Sequence, residues 1–288
     1  MADLSSFAIT RRWPAEHPDR IQLYSLPTPN GVKASIMLEE TGLAYEPHRV
    51  DFAADDQKTP EFLSLNPNGK IPAIIDPDGP GGRPLPLFES GAILLYLADK
   101  SGRLIPGDAA GRYEAVQWVM FQMGGVGPMF GQLGFFHKLA GREYEDKRPR
   151  DRYVAEAKRL LGVLERRLAG RAWMMGDDYT IADIAIFPWV RTVVGFYEAG
   201  DLVSFHDFPN LARALDAFVG AHLGDEAVGA ADLPARLQAL AAAGPDQVVY
   251  VRADRNLSYG EVMRTMGAVS AAGFGRVSLL AEQAPPTR

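Results

Sequence analysis

The chain has 288 residues, 47% apolar and 23% charged, a globular balance that excludes disordered, collagenous and coiled-coil chains and suggests about two domains. Thirty Lys and Arg against 36 Asp and Glu leave a net charge of -6, which argues against a general nucleic-acid or anionic-membrane surface. There is no cysteine, which excludes disulfide scaffolds, thiolate metal sites and a redox thiol of the protein's own. Any thiol chemistry must take its sulfur from a ligand.

Residues 1–20 read as an irregular, charged lead-in without the apolar core of a targeting segment. Ile21–Leu26 is a short strand, stopped by the breakers Pro27-Thr28-Pro29-Asn30-Gly31. Val32, Ile36, Leu38 and Leu43 then recur at near-helical spacing, and Gly42 closes that helix. A second strand is expected at Glu46–Asp51 and a short helix at Pro60–Leu65. The turn Asn66-Pro67-Asn68-Gly69 leads into the strand Ile71–Ile75. Asp76–Pro84 is a hairpin loop returning through Leu85–Phe88. Ser90 is expected to cap and open an apolar helix through Leu97. This order makes a small mixed sheet with helices packed on it.

From 108 to 220 the apolar stretches Ala109–Met123, Asp151–Leu168, Ile181–Phe196 and Pro209–Val219 predict a helical bundle, with Gly124-Gly125-Val126-Gly127-Pro128 breaking or kinking the first helix. Thr180-Ile181-Ala182-Asp183 has capping-box spacing. The most apolar stretch, Ile181–Val190, carries Asp183 and Pro188 and is too short to span a bilayer. Beyond 221 the chain turns Ala-rich. Asp232–Ala242 and Tyr259–Ala272 read as helices, Gln247–Arg252 and Arg276–Leu280 as strands, and Gln283–Arg288 as a frayed tail. The five histidines, His17, His48, His137, His206 and His222, show no metal-ligand spacing.

Three clusters could carry chemistry. Thr28-Pro29-Asn30 puts a hydroxyl and an amide at a helix N-terminus, where free N–H groups suit an anion or thiolate, although a plain cap is the commoner use. In Asn66-Pro67-Asn68-Gly69-Lys70-Ile71-Pro72, a cis Ile71–Pro72 bond would turn the Ile71 backbone outward to pair with an extended peptide, against the commoner trans proline. In Glu89-Ser90-Gly91, Ser90 and the helix-start amides suit a carboxylate and Glu89 an ammonium group. Together the three describe a short peptide with an amino acid head group and a sulfur near Thr28. Tyr24 is an alternative hydroxyl, but inside a strand it reads as buried structure. Trp118, Phe121, Met123, Phe130, Phe135 and Phe136 are either an apolar co-substrate wall or core.

LYSLPTPNGVKASIMLEE, NPNGKIPAI, FESGAILLYLADK and DDYTIADIAIFPW stand in the order found in glutathione transferases, which the chain resembles over roughly 7–220. The Thr-Pro-Asn turn, the Gly-Gly-Val-Gly-Pro helix break and the Arg-Asp-Arg-Tyr segment resemble the nu class. That class comprises bacterial enzymes acting as disulfide-bond reductases, related to the yeast nitrogen-regulatory prion protein. The resemblance implies a lead-in over 1–20, an α/β thioredoxin-like glutathione-binding domain over 21–102, an all-α domain over 108–220 and a cytoplasmic homodimer. It implies glutathione as co-substrate, with room for two per site, no metal, and a small disulfide or electrophile as partner, with no nucleic acid or membrane. Disulfide reduction is the expected activity, with transferase or peroxidase side activity; a non-catalytic binding or regulatory protein is the alternative. Thr28 and Asn30 would face the glutathione sulfur, Ile71 before Pro72 would pair with the cysteinyl backbone, and Glu89 and Ser90 would hold the γ-glutamyl end. Lys70 and Gln57 would lie toward the glycyl carboxylate or the backbone, and Arg152 would help to hold the two glutathiones, with Arg148 and Arg150 as neighbours that could substitute.

The stretch VVYVRADRNLSYGEVMRTMGAVSAAGFGRVSLL resembles the soluble domain of the ExbD/TolR proteins and implies a small α/β tail module over 222–282. The transmembrane anchor and proton-carrying carboxylate of that family have no counterpart in the stretch, so its motor function does not carry over.

Overall fold

The computed structural model describes residues 4–222, 249–253, 268–269 and 277–281. Contacts divide the chain into two compact units, Met1–Leu223 and Gly224–Arg288.

In the first unit, β1 (Ile21–Ser25) leads to α1 (Gly31–Thr41), which ends at Gly42 in the left-handed conformation (φ 72°), where glycine carries no Cβ penalty. β2 (Tyr45–Arg49) follows, then α2 (Pro60–Leu65), started by Pro60 at its first position and by Thr59, whose side chain accepts from the Phe62 N–H. β3 (Ala73–Asp76) and β4 (Leu85–Phe88) precede α3 (Ser90–Ser101). The sheet order is β2-β1-β3-β4. β1 pairs parallel with β2 and antiparallel with β3, which pairs antiparallel with β4.

Strand side chains alternate between faces. Ile21, Leu23 and Ile74 belong to a core shared with α1, α3 and the later helices, whereas Tyr24, Ala73 and Ile75 belong to a second cluster with Leu4, Ile9, Phe62 and Leu65. The lead-in is therefore not merely an irregular charged segment. A sheet apolar on both faces needs cover on both, and two short 3-10 turns, Leu4–Ser6 and Ala8–Arg11, bring Leu4 and Ile9 to the face opposite α1 and α3. An ion pair between Arg12 and Asp56 anchors the segment.

The helical half comprises α4 (Ala109–Phe121), α5 (Gly127–His137), α6 (Arg148–Leu168), α7 (Ile181–Arg191) and α8 (Pro209–His222). The expected break after α4 is instead a π-type turn, Gln122–Val126, that carries the helix on into α5, an element the glycine cluster concealed. Pro128 stands in the first turn of α5, and the wider turn accommodates the N–H it lacks. A second π turn, Thr192–Phe196, takes the end of the stretch expected as one helix. α7 opens with the capping box and is buried from Ile181 to Val190. It packs on α1, α3 and α4, joining the two halves. Among the described residues no helix is long and apolar enough to cross a membrane.

In the second unit, β5 (Val249–Ala253) and β6 (Val277–Ala281) pair in parallel, Val249 opposite Val277. The helix expected at Asp232–Ala242, most of that at Tyr259–Ala272 and the Gln283–Arg288 tail lie outside the described residues.

Candidate active site

The turn between β1 and α1 forces the chain through a close approach. A Cβ at Gly31 would lie 2.0 Å from the Leu26 carbonyl oxygen, so only glycine fits. Thr28 organises the turn: its N–H donates to the Leu26 carbonyl (2.7 Å), its Oγ1 accepts from the Gly31 N–H (3.0 Å), and its carbonyl accepts from the Val32 N–H (3.0 Å). The N-cap position of α1 belongs to Asn30, whose side chain makes no cap hydrogen bond; Thr28 accepts from the first helical N–H instead, which uses an oxygen lone pair and leaves the hydroxyl proton as a donor.

Asn30 is oriented by two groups that can only donate. Its Oδ1 accepts from Lys33 Nζ (2.8 Å) and from the indole Nε1 of Trp189 (2.9 Å), which identifies that atom as the oxygen and leaves the amide N–H2 on the other branch.

Lys33, Gln122 and Trp189 escaped the motif reading. Lys33 is fully buried and donates to Asn30, to Ser90 Oγ (3.3 Å) and to Gln122 Oε1, with Met123 Sδ at 3.9 Å. Burial pushes its pKa down to about 7, against the opposing pull of Glu89. The available signal was local: Lys33 precedes Ile36 and Met37 by three and four residues and so shares their apolar face. Trp189 gave none, being 159 residues from Asn30 in sequence.

The other candidates differ in their surroundings. The Ile71–Pro72 peptide is cis, and β3 begins only at Ala73, so the Ile71 backbone stays outside the sheet ladder. Asn66 shapes the turn before it, donating from Nδ2 to the Lys70 carbonyl (2.6 Å). The Lys70 side chain is exposed. Gln57 is half-buried, and its Oε1 is buried without a hydrogen-bond partner among the described residues. Ser90 is not the helix cap expected of it. The cap position belongs to Glu89, which is exposed and holds φ 73°, and the Ser90 hydroxyl instead meets Lys33 and Met123 Sδ (3.6 Å). A non-glycine residue in that region is strained, and such strain clusters at functional sites.

Arg152 is exposed near the start of α6 and helps to hold the Glu156 carboxyl below its ordinary range, after the larger effect of Arg159. Arg148 pairs with Asp146 and Arg150 with Asp151, whereas Arg152 makes no ion pair among the described residues. No hydrogen bond joins Arg152 to the Thr28 corner. Tyr24 is fully buried, stacked on His48, with its pKa raised by burial. Phe130 is core, while Met123 lies against Ser90. Among the described residues no group of three or more His, Asp or Glu could hold a metal ion.

A cleft of about 420 Å³ opens between the head of α1 and β2, lined by Pro27, Val32, Tyr45, Pro47 and Arg49 among others. It includes none of the nine candidate residues.

A β2-β1-β3-β4 sheet with α1 and α3 on one face and α2 on the other, followed by a helical domain docked through α7, defines a thioredoxin-like domain joined to an all-helical domain. The family profile for the glutathione S-transferase N-terminal domain matches residues 20–99, and that for the C-terminal domain matches 149–217. The profile for biopolymer transport protein ExbD/TolR matches 207–284. The disulfide-bond oxidoreductase YfcG of Escherichia coli (strain K12) is 46% identical over 172 residues, covering 59% of this chain and 79% of the relative. A glutathione transferase structure from Burkholderia graminis, with two glutathione molecules bound per subunit, is 74% identical with a TM-score of 0.76, covering 80% of this chain and 98% of that one. A glutathione transferase from Pseudomonas putida, with one glutathione disulfide bound per subunit, is 69% identical with a TM-score of 0.74, covering 75% and 94%. The chain belongs to the glutathione S-transferase family.

Proposed function

We propose that this protein is a glutathione-dependent disulfide reductase, working as a cytoplasmic homodimer. The observation that carries the reading is the pinned Asn30 oxygen. It leaves an amide N–H2 beside the Thr28 hydroxyl proton and the head of α1, three sources of positive potential at one corner of a chain with no cysteine.

A free thiol has a pKa of about 8.5, and the thiolate is the nucleophile. A hydroxyl, an amide and a helix N-terminus favour the anion by about 1–3 kcal/mol, or about one to two pKa units. The bound glutathione thiolate attacks one sulfur of the disulfide, forming a mixed disulfide and releasing the other half as a thiolate that takes up a proton. A second glutathione thiolate then attacks the glutathionyl sulfur and releases the remaining half. Two glutathiones are oxidised to glutathione disulfide, and the substrate disulfide is reduced to two thiols.

In this reading Glu89 takes the γ-glutamyl ammonium and Ser90 its carboxylate, the Ile71 backbone pairs with the cysteinyl residue, and Gln57 and Lys70 lie at the glycyl end. Arg152, the arginine of its cluster without an ion pair among the described residues, helps to hold the second glutathione. Tyr113 and Met120, exposed at 74% and 52% and two turns apart on α4, support an apolar dimer face. The relatives named as a disulfide-bond oxidoreductase and as structures holding glutathione or its disulfide support the substrate class.

Purified protein is expected to reduce a small disulfide at the expense of glutathione. Thr28→Ala should lower kcat/KM about ten-fold, the worth of one hydrogen bond to a charged group. An unchanged rate removes Thr28 from the mechanism, and glutathione binding without turnover leaves a binding or regulatory protein.

A further inference from the structure

We propose that Lys33 is a positioning residue for the thiolate, its buried ammonium group tying the Thr28-Asn30 corner to the Glu89-Ser90 corner and fixing the Asn30 amide as the donor. The inference rests on the glutathione reading above. An ammonium group has three N–H donors, and three side-chain oxygens surround this one: Asn30 Oδ1 at 2.8 Å, Ser90 Oγ at 3.3 Å and Gln122 Oε1. Because Lys33 occupies the Asn30 oxygen, the Asn30 amide hydrogens remain for other acceptors, while the Ser90 hydroxyl accepts from Lys33 and donates to Met123 Sδ (3.6 Å). A neutral amine would have a lone pair, could accept from the Ser90 hydroxyl, and would release the constraint on Asn30.

The charge itself is left uncompensated. Among the described residues no carboxylate lies within ion-pair distance of Lys33, although buried lysines are ordinarily paired. Glu89, at the head of α3, is the acidic group that acts on it. The turn after α4 presents neutral Gln122 and Met123. α7 presents the indole of Trp189 to the same Asn30 oxygen, while its buried Asp183 accepts from the Met174 and Thr180 N–H groups. β1 contributes Ile21 and Leu23 to the core it shares with α1, its one ionisable side chain, Tyr24, belonging to the other face. An anion held by the Asn30 amide would therefore meet an unneutralised positive charge one side chain away. Inside a low-dielectric core that charge polarises the amide and strengthens its N–H donors.

The test follows the ultraviolet absorbance of the glutathione thiolate, bound to the whole protein, across pH. In wild type its midpoint is expected below that of free glutathione; in Lys33→Met it should rise by about one unit, a ten-fold loss of thiolate at fixed pH, with kcat falling in parallel. Glutathione bound to Lys33→Met with the wild-type midpoint overturns the inference alone. Failure of wild type to bind glutathione, or an unshifted midpoint there, overturns the glutathione reading itself. If Lys33→Met does not fold, wild type labelled with 15N-lysine supplies the readout. Saturating glutathione should move the Nζ titration of the buried lysine to higher pH, and an unmoved midpoint overturns the inference.

Discussion

Asn30 has an oxygen held by the fold and, in the proposed reading, a nitrogen turned to the ligand, and a substitution can separate the two. In Asn30→Asp the oxygen facing Lys33 and Trp189 is kept, and the new charge faces the buried ammonium directly. The N–H2 is replaced by a second oxygen, which repels a thiolate. This variant is expected to unfold at or above the wild-type denaturant midpoint near pH 7, yet to lose about ten-fold or more in kcat/KM with glutathione. Loss of stability together with activity would mean that Asn30 only holds the fold. Thr28, Asn30, Glu89 and Ser90 were legible because each lies in a short cluster whose hydroxyl, amide or carboxyl stands at a strand-to-helix turn. Lys33 was not, because its partners Ser90 and Gln122 lie 57 and 89 residues away. Only the fold makes a lysine on an apolar helix face into the centre of a site.

At the scale of elements, what could be read were termini with their own local chemistry. Gly42 ends α1 and Thr180 opens α7. The box at α7 is wholly buried: Thr180 Oγ1 accepts from the Ala182 N–H (3.3 Å), and Asp183 accepts from the Thr180 and Met174 N–H groups (2.9 and 2.7 Å). Because α7 also carries Trp189 to Asn30, the cap fixes the angle at which the helical half reaches the thioredoxin-like half. Asp183→Ala strands two buried N–H groups and is expected to cost about 3 kcal/mol, measured by urea unfolding; a cost of only a few tenths would show the box to be ornamental. What composition could not reveal were elements decided by packing. Glycines at 124, 125 and 127 look like a stop, but a turn of wider hydrogen bonding runs through them. Gly91 leaves room for Met123: a Cβ there would lie 2.9 Å from its Cγ. The charged lead-in likewise hid Leu4 and Ile9, whose burial follows only once the sheet is known to have two apolar faces.

For the molecule as a whole, the site and the fold make opposing demands on one charge. Every hydrogen bond described around Thr28, Asn30, Lys33 and Ser90 lies within Met1–Leu223, so a chain ending at 222 is expected to retain disulfide reduction; loss of it with the first unit still folded would assign the tail a part in the site. The larger constraint is Lys33. Unfolded, this lysine keeps its proton up to its ordinary 10.5, whereas burial lets the folded protein release it from about 7. Between these values the unfolded state binds more protons, so the contribution of this group to stability increases with pH; below about 7 both states are protonated and the cost of burying the charge is fully present. Urea unfolding of wild type between pH 7 and 10 should therefore contain a stabilising slope that Lys33→Met lacks, seen in the difference between the two curves, which cancels the other titrating groups. Parallel curves would mean that the lysine is not held against its own desolvation. A converging slope would mean that the fold tolerates a cation that is costly at neutral pH, where glutathione needs it charged, and that bound thiolate returns part of that cost. Ligand-dependent stabilisation should then be greater near pH 7 than near pH 10.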